Sequence, residues 1–433
     1  MQPRSLSFLA IAATTAIAGP KFTFDDGKRS LEIQQTYQLW SATTFDPIHT
    51  PEADARMDVF VRRARITLKG LAYPGLNYQF MFAADNLGKD SLTGVGGGPQ
   101  VPAVSLFQAI DAAAWYTAFE DLLVVSGGLI RPHLNRELYA SYANVPTLDF
   151  ANTYGYVRDH YTTRNTARET GLSLSSVWYD TTARWGASLD LGAFDNSWDR
   201  SATAATPTVS SKWSPLVTGR VSLNLGDREN KGWQLVSNNS TRSKGGGAAL
   251  GLFGAYKGET ETKVRKDSST VSGKKVYSYA WLGGSESSDI WGADLLAWAF
   301  GATLQAEWVE LGTGFGDSAR EAMPGTFRTG RVADHAVNVR ATYALPLGGH
   351  GAMEPVAAWT RFLADDLSPR YKGGRDEIVD LGLNWLLDGN KTKLSLHYLN
   401  NTGSASTSFT TGQNKAGYSQ RNDSWVLGLQ LQI

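Results

Sequence analysis

The chain has 433 residues, with 41 basic and 41 acidic side chains, and it contains no cysteine. Without cysteine it has no disulfide, no thiolate metal ligand and no cysteine nucleophile, and without net positive charge it lacks the main driving force for binding nucleic acids. Aromatic residues make up 11% of the chain, which argues against intrinsic disorder. No apolar run of about 18 residues follows the N-terminal segment, which excludes a helical membrane protein. One large β-rich domain, or two or three soluble domains, remain.

Residues 1–18 have the features of a secretory signal peptide. Arg4 gives a short basic start, residues 6–17 form a mostly apolar run, and Ala16-Ile17-Ala18 is a small-x-small cleavage site. The alternative is a buried N-terminal helix. We expect a mature chain of residues 19–433. Because an exported chain of this size has no cysteine, we expect a bacterial envelope as its location.

Apolar and polar residues alternate with a period of two along the rest of the chain. In the last segment, for example, Trp425, Leu427 and Leu429 alternate with Gly428 and Gln430. At ~3.3 Å per residue and a tilt of ~40°, most of these runs are long enough to cross the ~25 Å apolar band of an outer membrane. Residues 275–282 could replace the run at 288–300 or add a seventeenth. Sixteen strands are predicted, at about 30–41, 57–69, 75–85, 107–118, 121–131, 168–179, 183–194, 213–225, 246–257, 288–300, 302–313, 332–345, 352–363, 376–387, 391–400 and 424–432.

The connections between these strands alternate between short and long. Long ones follow odd-numbered strands and short ones follow even-numbered strands, except that 226–245 is long where a short turn is expected. This pattern predicts an all-β fold: a transmembrane antiparallel up-and-down β-barrel of about 16 strands, integral to the outer membrane, with long extracellular loops and short periplasmic turns. A soluble two-sheet sandwich would also alternate, but with shorter strands and without alternating connection lengths.

If the apolar face of each strand meets lipid, charged side chains on the strands should point into a lumen. The second predicted strand is the richest case, since Arg63, Arg65 and Lys69 share its lumen face. Phe60 falls on the lipid face, and so does Arg62, which could snorkel to the outer interface. Other residues predicted to point inward are Arg184, Arg220, Arg340, Asp111, Asp190, Glu307 and Asp380.

These inward charges allow two interpretations. The basic side chains could form a cationic track that passes anions along the wall. Alternatively, the arginines could pair with facing acids for structural reasons and form a mixed-charge wall.

The segment 132–167, after the fifth predicted strand, is the longest connection. It contains Arg136, Arg158 and Arg164. Its aromatic residues could fold it compactly, and loops of this length usually have a function. We expect it to fold into the lumen, narrow the pore and place guanidinium groups where an oxyanion can bind. The alternative is an external loop, solvated or packed at a subunit interface.

No catalytic or metal-binding motif is evident in the sequence. It contains neither HExxH nor GxSxG, and its 6 histidines are scattered. The glycine cluster at 94–98 lacks the strand-to-helix context of a phosphate-binding loop. We therefore predict no enzyme activity, no cofactor and no metal.

Four segments resemble the phosphate-selective porin O and P family of bacterial outer membranes. They are 60–65 with the following Leu-Lys-Gly, 125–132, the sequence Arg-Glu-Thr-Gly-Leu at 168–172, and 381–398. Their order and spacing extend the resemblance from about Leu31 to the end of the chain. The resemblance implies a sixteen-stranded, homotrimeric outer-membrane channel for small anions such as phosphate.

Two positions depart from the family pattern. The lysine that the family has before its third loop aligns with Ile130, and no lysine lies between Arg131 and Arg168. The lysine cluster that gives some members phosphate selectivity is therefore not evident, and a guanidinium can hold an anion longer than a lysine does. The last residue is Ile433 instead of an aromatic residue.

The sequence thus predicts a passive diffusion channel with a basic lumen that favours small anions, phosphate among them. The alternatives are a general or sugar pore without ion preference and, in a different class, a barrel enzyme or an adhesin. The expected partners are small anions, outer-membrane lipid and further copies of the chain in a homotrimer, and not nucleic acid. The predicted pore-lining residues are Arg63, Arg65, Lys69, Arg131, Arg136, Arg158, Arg164, Arg168, Arg220 and Arg340.

Overall fold

Sixteen long antiparallel strands form a closed cylinder in the computed structural model. The cylinder closes because β1 pairs with β2 on one side and with the last strand, β16, on the other. Two short strands, Lys21–Phe24 and Leu345–Pro346, extend the sheet at the turn side. The structure describes residues 19–45, 55–89, 95, 108–119, 122–162, 166–195, 208–210, 214–229, 235–238, 245–260, 262–271, 274–281, 286–315, 331–368, 373–403 and 420–433. The predicted signal peptide lies outside these residues.

The barrel strands follow the alternating runs of the sequence one for one, so the predicted fold is confirmed. They are β1 (Arg29–Phe45), β2 (Ala55–Tyr73), β3 (Leu76–Leu87), β4 (Gln108–Ala118), β5 (Leu123–Ile130), β6 (Glu169–Asp180), β7 (Trp185–Asp195), β8 (Leu216–Gly226), β9 (Gly246–Thr260), β10 (Glu286–Ala299), β11 (Ala302–Phe315), β12 (Arg331–Tyr343), β13 (Ala352–Leu363), β14 (Arg375–Asp388), β15 (Thr392–Gly403) and β16 (Gln420–Gln432).

The uncertain run around residue 290 is the barrel strand β10. Residues Lys274–Trp281 instead join Thr262–Val271 and Thr208–Ser210 in a separate three-stranded sheet, built from the long β7–β8 and β9–β10 connections. At the opposite rim most connections are tight turns, and the β8–β9 connection is the long exception. The β10–β11 turn uses Phe300 and Gly301, both with positive φ, which is the geometry that matches the twist of a two-residue hairpin.

The outer surface of the barrel is apolar and its inner surface is polar. On β8, Val217, Val221 and Leu225 are 49–52% exposed, whereas Thr218 and Arg220 are at most 3% exposed. An apolar outside around a polar inside is the reverse of a soluble protein and is what a lipid-embedded barrel requires. The chain is accordingly an integral outer-membrane β-barrel. Among the described residues, no helix is long and apolar enough to cross a membrane.

The lipid-facing side of β8 allows a direct test. Val221 lies at mid-strand and Val217 lies near the extracellular end, and both point outward. Val221→Arg should lower the free energy of unfolding in phospholipid bilayers by about 2–4 kcal/mol, whereas Val217→Arg should cost about 0–1 kcal/mol. Urea titration of the vesicle-inserted variants measures both values. Equal costs at the two positions would contradict this placement of the membrane.

Candidate functional site: the lumen

The connection between β5 and β6, residues 131–168, is called L3 here, and its described residues, 131–162 and 166–168, lie inside the barrel. It contains two helices, α1 (Arg136–Tyr139) and α2 (Asn152–Tyr161). On one side His133 Nδ1 is 3.1 Å from Asp190 Oδ1 of β7, and on another side Asn384 of β14 donates a hydrogen bond to the Pro146 carbonyl at 2.6 Å. L3 therefore spans the lumen from wall to wall.

An apolar core lies between L3 and the wall. Leu134, Leu138 and Val157 of L3 have no exposed surface, and they belong to one cluster with inward side chains of the outer half of the barrel. The ring of Tyr156 stacks on that of Phe362 of β13, with ring centroids 3.9 Å apart. L3 is thus held by buried apolar area as well as by polar contacts.

A β-bulge in β2 changes which side chains enter the lumen. The register of β1 against β2 shifts between Gln38 and Leu39, which leaves Arg62 as the extra residue. Arg62 and Arg63 both reach Asp149 of L3 as a result, and Phe60, 2% exposed, lies inside the barrel. The prediction that Phe60 and Arg62 lie on the lipid face is therefore wrong, because an uninterrupted period of two cannot continue through a bulge.

The two adjacent arginines fix L3 to the wall through one carboxylate. Arg62 Nη2 is 2.6 Å from Asp149 Oδ2, and Arg63 Nη2 is 2.5 Å from Asp149 Oδ1. Burial by itself would raise the pKa of Asp149, but the two guanidinium groups outweigh it and hold that pKa well below the usual range. Asp149 is therefore ionised at any physiological pH.

This depressed pKa predicts a definite pH dependence. A carboxylate whose pKa is lowered by folding adds stability above its ordinary pKa of about 3.9, and that stability is lost as the pH falls through the folded-state value. The wild-type barrel should be more stable than Asp149→Asn by a constant margin between pH 5 and 8, and the margin should shrink below about pH 4. Urea midpoints across this range measure it. A margin that is the same at pH 3 and pH 7 would contradict the role of Asp149.

Beneath this attachment, the β1–β3 wall carries polar side chains that water reaches. Arg65 pairs with Asp85 of β3 at 2.5 Å, and their side chains are 10% and 27% exposed. Nearer the turn side, Lys69 lies 3.4 Å from Glu32 of β1, with 34% and 28% exposed. Gln79 of β3 is the register partner of Lys69 and is half-buried. We call this strip of residues the open wall.

The wall from β8 to β13 is sealed. Arg220 of β8 binds Asp294 of β10 through two hydrogen bonds of 2.5 and 2.9 Å, and Arg136 of L3 binds the same carboxylate at 3.0 Å. Arg340 of β12 donates to Glu137 of L3 at 2.7 Å. The side chains of these residues are at most 1% exposed, so neither water nor a solute reaches them.

The other predicted pore residues lie where L3 begins and ends. Arg168 binds Asp111 of β4 at 2.7 Å, and Arg158 binds its neighbour Asp159 at 2.6 Å. Arg131 donates to the carbonyls of Leu138 and Ala140, and burial together with the charge of Arg168 lowers its pKa to about 10. Arg164 lies outside the described residues.

The described charges are distributed unequally around the lumen. Near the open wall the basic groups exceed the acidic ones, and at the sealed wall the acidic groups exceed the basic ones. The first set comprises Arg62, Arg63, Arg65, Lys69, Arg131 and Arg168 with Glu32, Asp85, Asp111, Asp149 and Glu169. The second comprises Arg136, Arg220 and Arg340 with Glu137, Glu229, Asp294, Glu307 and Glu354.

Solved bacterial outer-membrane proteins share this architecture. OprB of Pseudomonas putida superposes with a TM-score of 0.52, covering 93% of this chain and 94% of that one at 10% identity. The fold is that of the outer-membrane porins. An anion-selective porin from Comamonas acidovorans has a TM-score of 0.50 at 12% identity (94% and 100% covered). The outer-membrane channel DcaP of Acinetobacter baumannii has 0.50 at 10% identity (96% and 100% covered).

At these low sequence identities, the superpositions show the porin-type fold alone. No protein-family model and no curated protein matches the chain. Among the described residues, no group of three or more metal-ligating side chains is arranged to hold a metal ion.

The sequence does not identify two of the lumen carboxylates as partners of the arginines. Asp149 is one of several acids in L3, and nothing in the local pattern marks its contact with Arg62 and Arg63. Glu229 lies in the 226–245 connection and binds Arg136 at 2.5 Å. The unexpected length of that connection was the one sequence signal that could have drawn attention to Glu229.

Proposed function

We propose that the chain is a passive diffusion channel whose aqueous passage follows the open wall and favours small anions, phosphate among them. The observation that carries this proposal is the contrast in exposure between the two walls. The ion pairs Arg65–Asp85 and Lys69–Glu32 remain partly in contact with water, whereas the pairs around Asp294 are dry. A solute can meet charged groups only where those groups meet water.

The basic groups near the open wall exceed the acidic ones by one, and their field acts on a solute in the water-filled strip even where the groups themselves are buried, which supports the anion preference. An anion entering beneath L3 meets Arg65, whose guanidinium carbon is 4.2 Å from the ring centre of Tyr142 and is thereby held in place. It then meets Lys69 toward the periplasm. Each cation already has a carboxylate partner, so the anion binds weakly and can leave, as conduction requires.

The proposal also covers how the chain is exported and how it assembles. Residues 1–18 would direct export as a signal peptide, and the mature barrel would form a homotrimer. The four segments that resemble the phosphate-selective porins support the trimer and the kinship with that family, and those segments lie in strands or at their ends.

Reversal potentials test the anion preference. In planar bilayers under a potassium chloride gradient, the wild-type protein should favour chloride. Arg65→Gln should reduce that preference, and Asp85→Asn should increase it, because each changes the charge of the open wall. Arg184→Gln is the matched control, because Arg184, which the sequence predicts to point inward, lies instead in the β6–β7 turn, where it is 57% exposed and pairs with Asp227. Cation preference in the wild type would overturn the proposal.

The general or sugar pore remains a second candidate because of one observation. Lys69 has a carboxylate partner, and so does every described pore arginine except Arg131. This pairing lowers the net electrostatic field that a solute meets. Millimolar phosphate distinguishes the two candidates. It should reduce the chloride current of an anion channel and leave that of a general pore unchanged.

A further inference from the structure

The connection between β8 and β9 enters the lumen from the turn side. Its described residues, 227–229 and 235–238, are here called the inner plug. Gly226, with a φ of +80°, ends β8, and the wall residue Asn224 then binds the returning chain twice. Its amide donates to the Asp227 carbonyl at 3.1 Å, and its side-chain oxygen accepts from the backbone N–H of Glu229 at 3.2 Å. The chain is thereby directed inward instead of across the rim.

The inner plug is buried against the lower half of the sealed wall. Val236 packs in one apolar cluster with Ala249, Leu296 and Trp298, which point inward from β9 and β10. Ser237 has no exposed surface. Asn238 donates to Glu354 of β13 at 2.7 Å and lies 3.4 Å from the Thr342 hydroxyl of β12. A segment held on both sides in this way occupies the lumen beneath L3.

Three residues join the inner plug to L3. Arg136 donates from one nitrogen both to Glu229 at 2.5 Å and to the Val236 carbonyl at 2.8 Å. Arg340 contacts Glu137 of L3 at 2.7 Å and the Ser237 carbonyl at 3.4 Å. Glu354 accepts from Asn238 and from Asn384, and Asn384 also binds the Pro146 carbonyl of L3.

We propose that the inner plug is a second constriction element, which closes the β8–β13 half of the lumen from the periplasmic side and confines solutes to the open wall. L3 narrows the lumen from the extracellular half, and the inner plug blocks the space that L3 leaves beneath it. The inference rests on the proposed channel function. It adds that the size of solute admitted depends on a periplasmic connection as well as on L3.

Removal of residues 229–244 tests this role. The Asp227 N–H donates to the Gly246 carbonyl at 2.9 Å, so Arg228 can be joined to Gly245 with a short turn. The single-channel conductance should rise severalfold, and larger solutes should pass in vesicle-swelling assays. The matched control removes the same number of residues, 404–419, from the opposite rim, where Gly403 and Gln420 are paired neighbours. The control should conduct like the wild type.

The outcomes separate the two proposals. If the wild type conducts and the shortened variant has the same conductance and the same solute size limit, the proposed role of the inner plug is overturned. The channel function then still stands. A wild-type protein without conductance would overturn the channel function itself.

A second measurement applies if the shortened variant fails to fold. Because the chain has no cysteine, Ser237→Cys introduces a single thiol. In the folded protein it should react with a charged maleimide far more slowly than Thr182→Cys on the exposed β6–β7 turn. Adding Glu229→Gln to Ser237→Cys should increase its rate, because the contact with Arg136 is weakened. Equal rates for the single variants at 237 and 182 would overturn the inner plug.

Discussion

Replacing Asp294 with asparagine is expected to lower the free energy of unfolding by about 3–5 kcal/mol. Asp294 has no exposed side-chain surface and accepts hydrogen bonds from both Arg220 and Arg136. The substitution keeps the shape of the side chain but leaves two buried guanidinium groups with insufficient negative charge. Removing one partner of a dry charge cluster costs more than the cluster itself contributes. A urea titration of the vesicle-inserted protein measures the loss, with the gel mobility of the folded barrel as the readout of the folded fraction.

The control for Asp294 is an exposed carboxylate with the same kind of partner. Asp227 pairs with Arg184 at 2.6 Å, and their side chains are 43% and 57% exposed. Asp227→Asn should cost about 1 kcal/mol or less, because water replaces the lost contact. Equal losses for the two variants would mean that the region around Asp294 is wet in solution, and the passage would then not be confined to the open wall.

The second large effect is expected at Phe362. Its side chain has no exposed surface and stacks on Tyr156 of L3. Phe362→Ala should cost about 3–5 kcal/mol, as truncation of a buried aromatic residue does in a soluble core. Because the contact lies between L3 and β13, the variant should also show noisier single-channel current. Equilibrium unfolding and open-channel noise are the two measurements.

The adjacent residue provides the control. Leu363 is 39% exposed and points outward from the same strand. Leu363→Ala should cost much less, because lipid or detergent fills the space that it vacates. A loss at Phe362 no larger than that at Leu363 would contradict an apolar core inside the barrel.

The barrel could be predicted from the sequence because the membrane imposes a simple rule. Every backbone polar group must be paired inside the sheet and every second side chain must face lipid, so a period of two recurs in each strand. The rule located all sixteen strands, including β10, for which residues 275–282 were an alternative. It also placed Asp111, Asp190, Glu307 and Asp380 on the inner face, where the structure has them buried.

The arrangement within the lumen could not be predicted in the same way. Strand parity says that Arg63, Arg65 and Arg220 point inward, but it does not say which of them meet water. That depends on L3 and the inner plug, whose contacts join residues far apart in the chain, such as Arg136 with Glu229 and Asn384 with Pro146. The bulge at Arg62 was equally hidden, since one extra residue leaves no mark in the composition.

The contact of L3 with the last strand has a consequence for assembly. Gln430 of β16 donates to the Ala143 carbonyl of L3 at 3.1 Å and accepts from Gln38 of β1 at 2.6 Å. The first and last barrel strands, β1 and β16, pair here. Because this pairing joins the residues that are farthest apart in the sequence, we expect it to form last. A chain whose L3 is still outside would reach that step without the Ala143 acceptor, and the apolar inward side chains of the outer half of the barrel, such as Phe362, would be uncovered. We therefore expect the barrel to close around an L3 that already lies in the lumen.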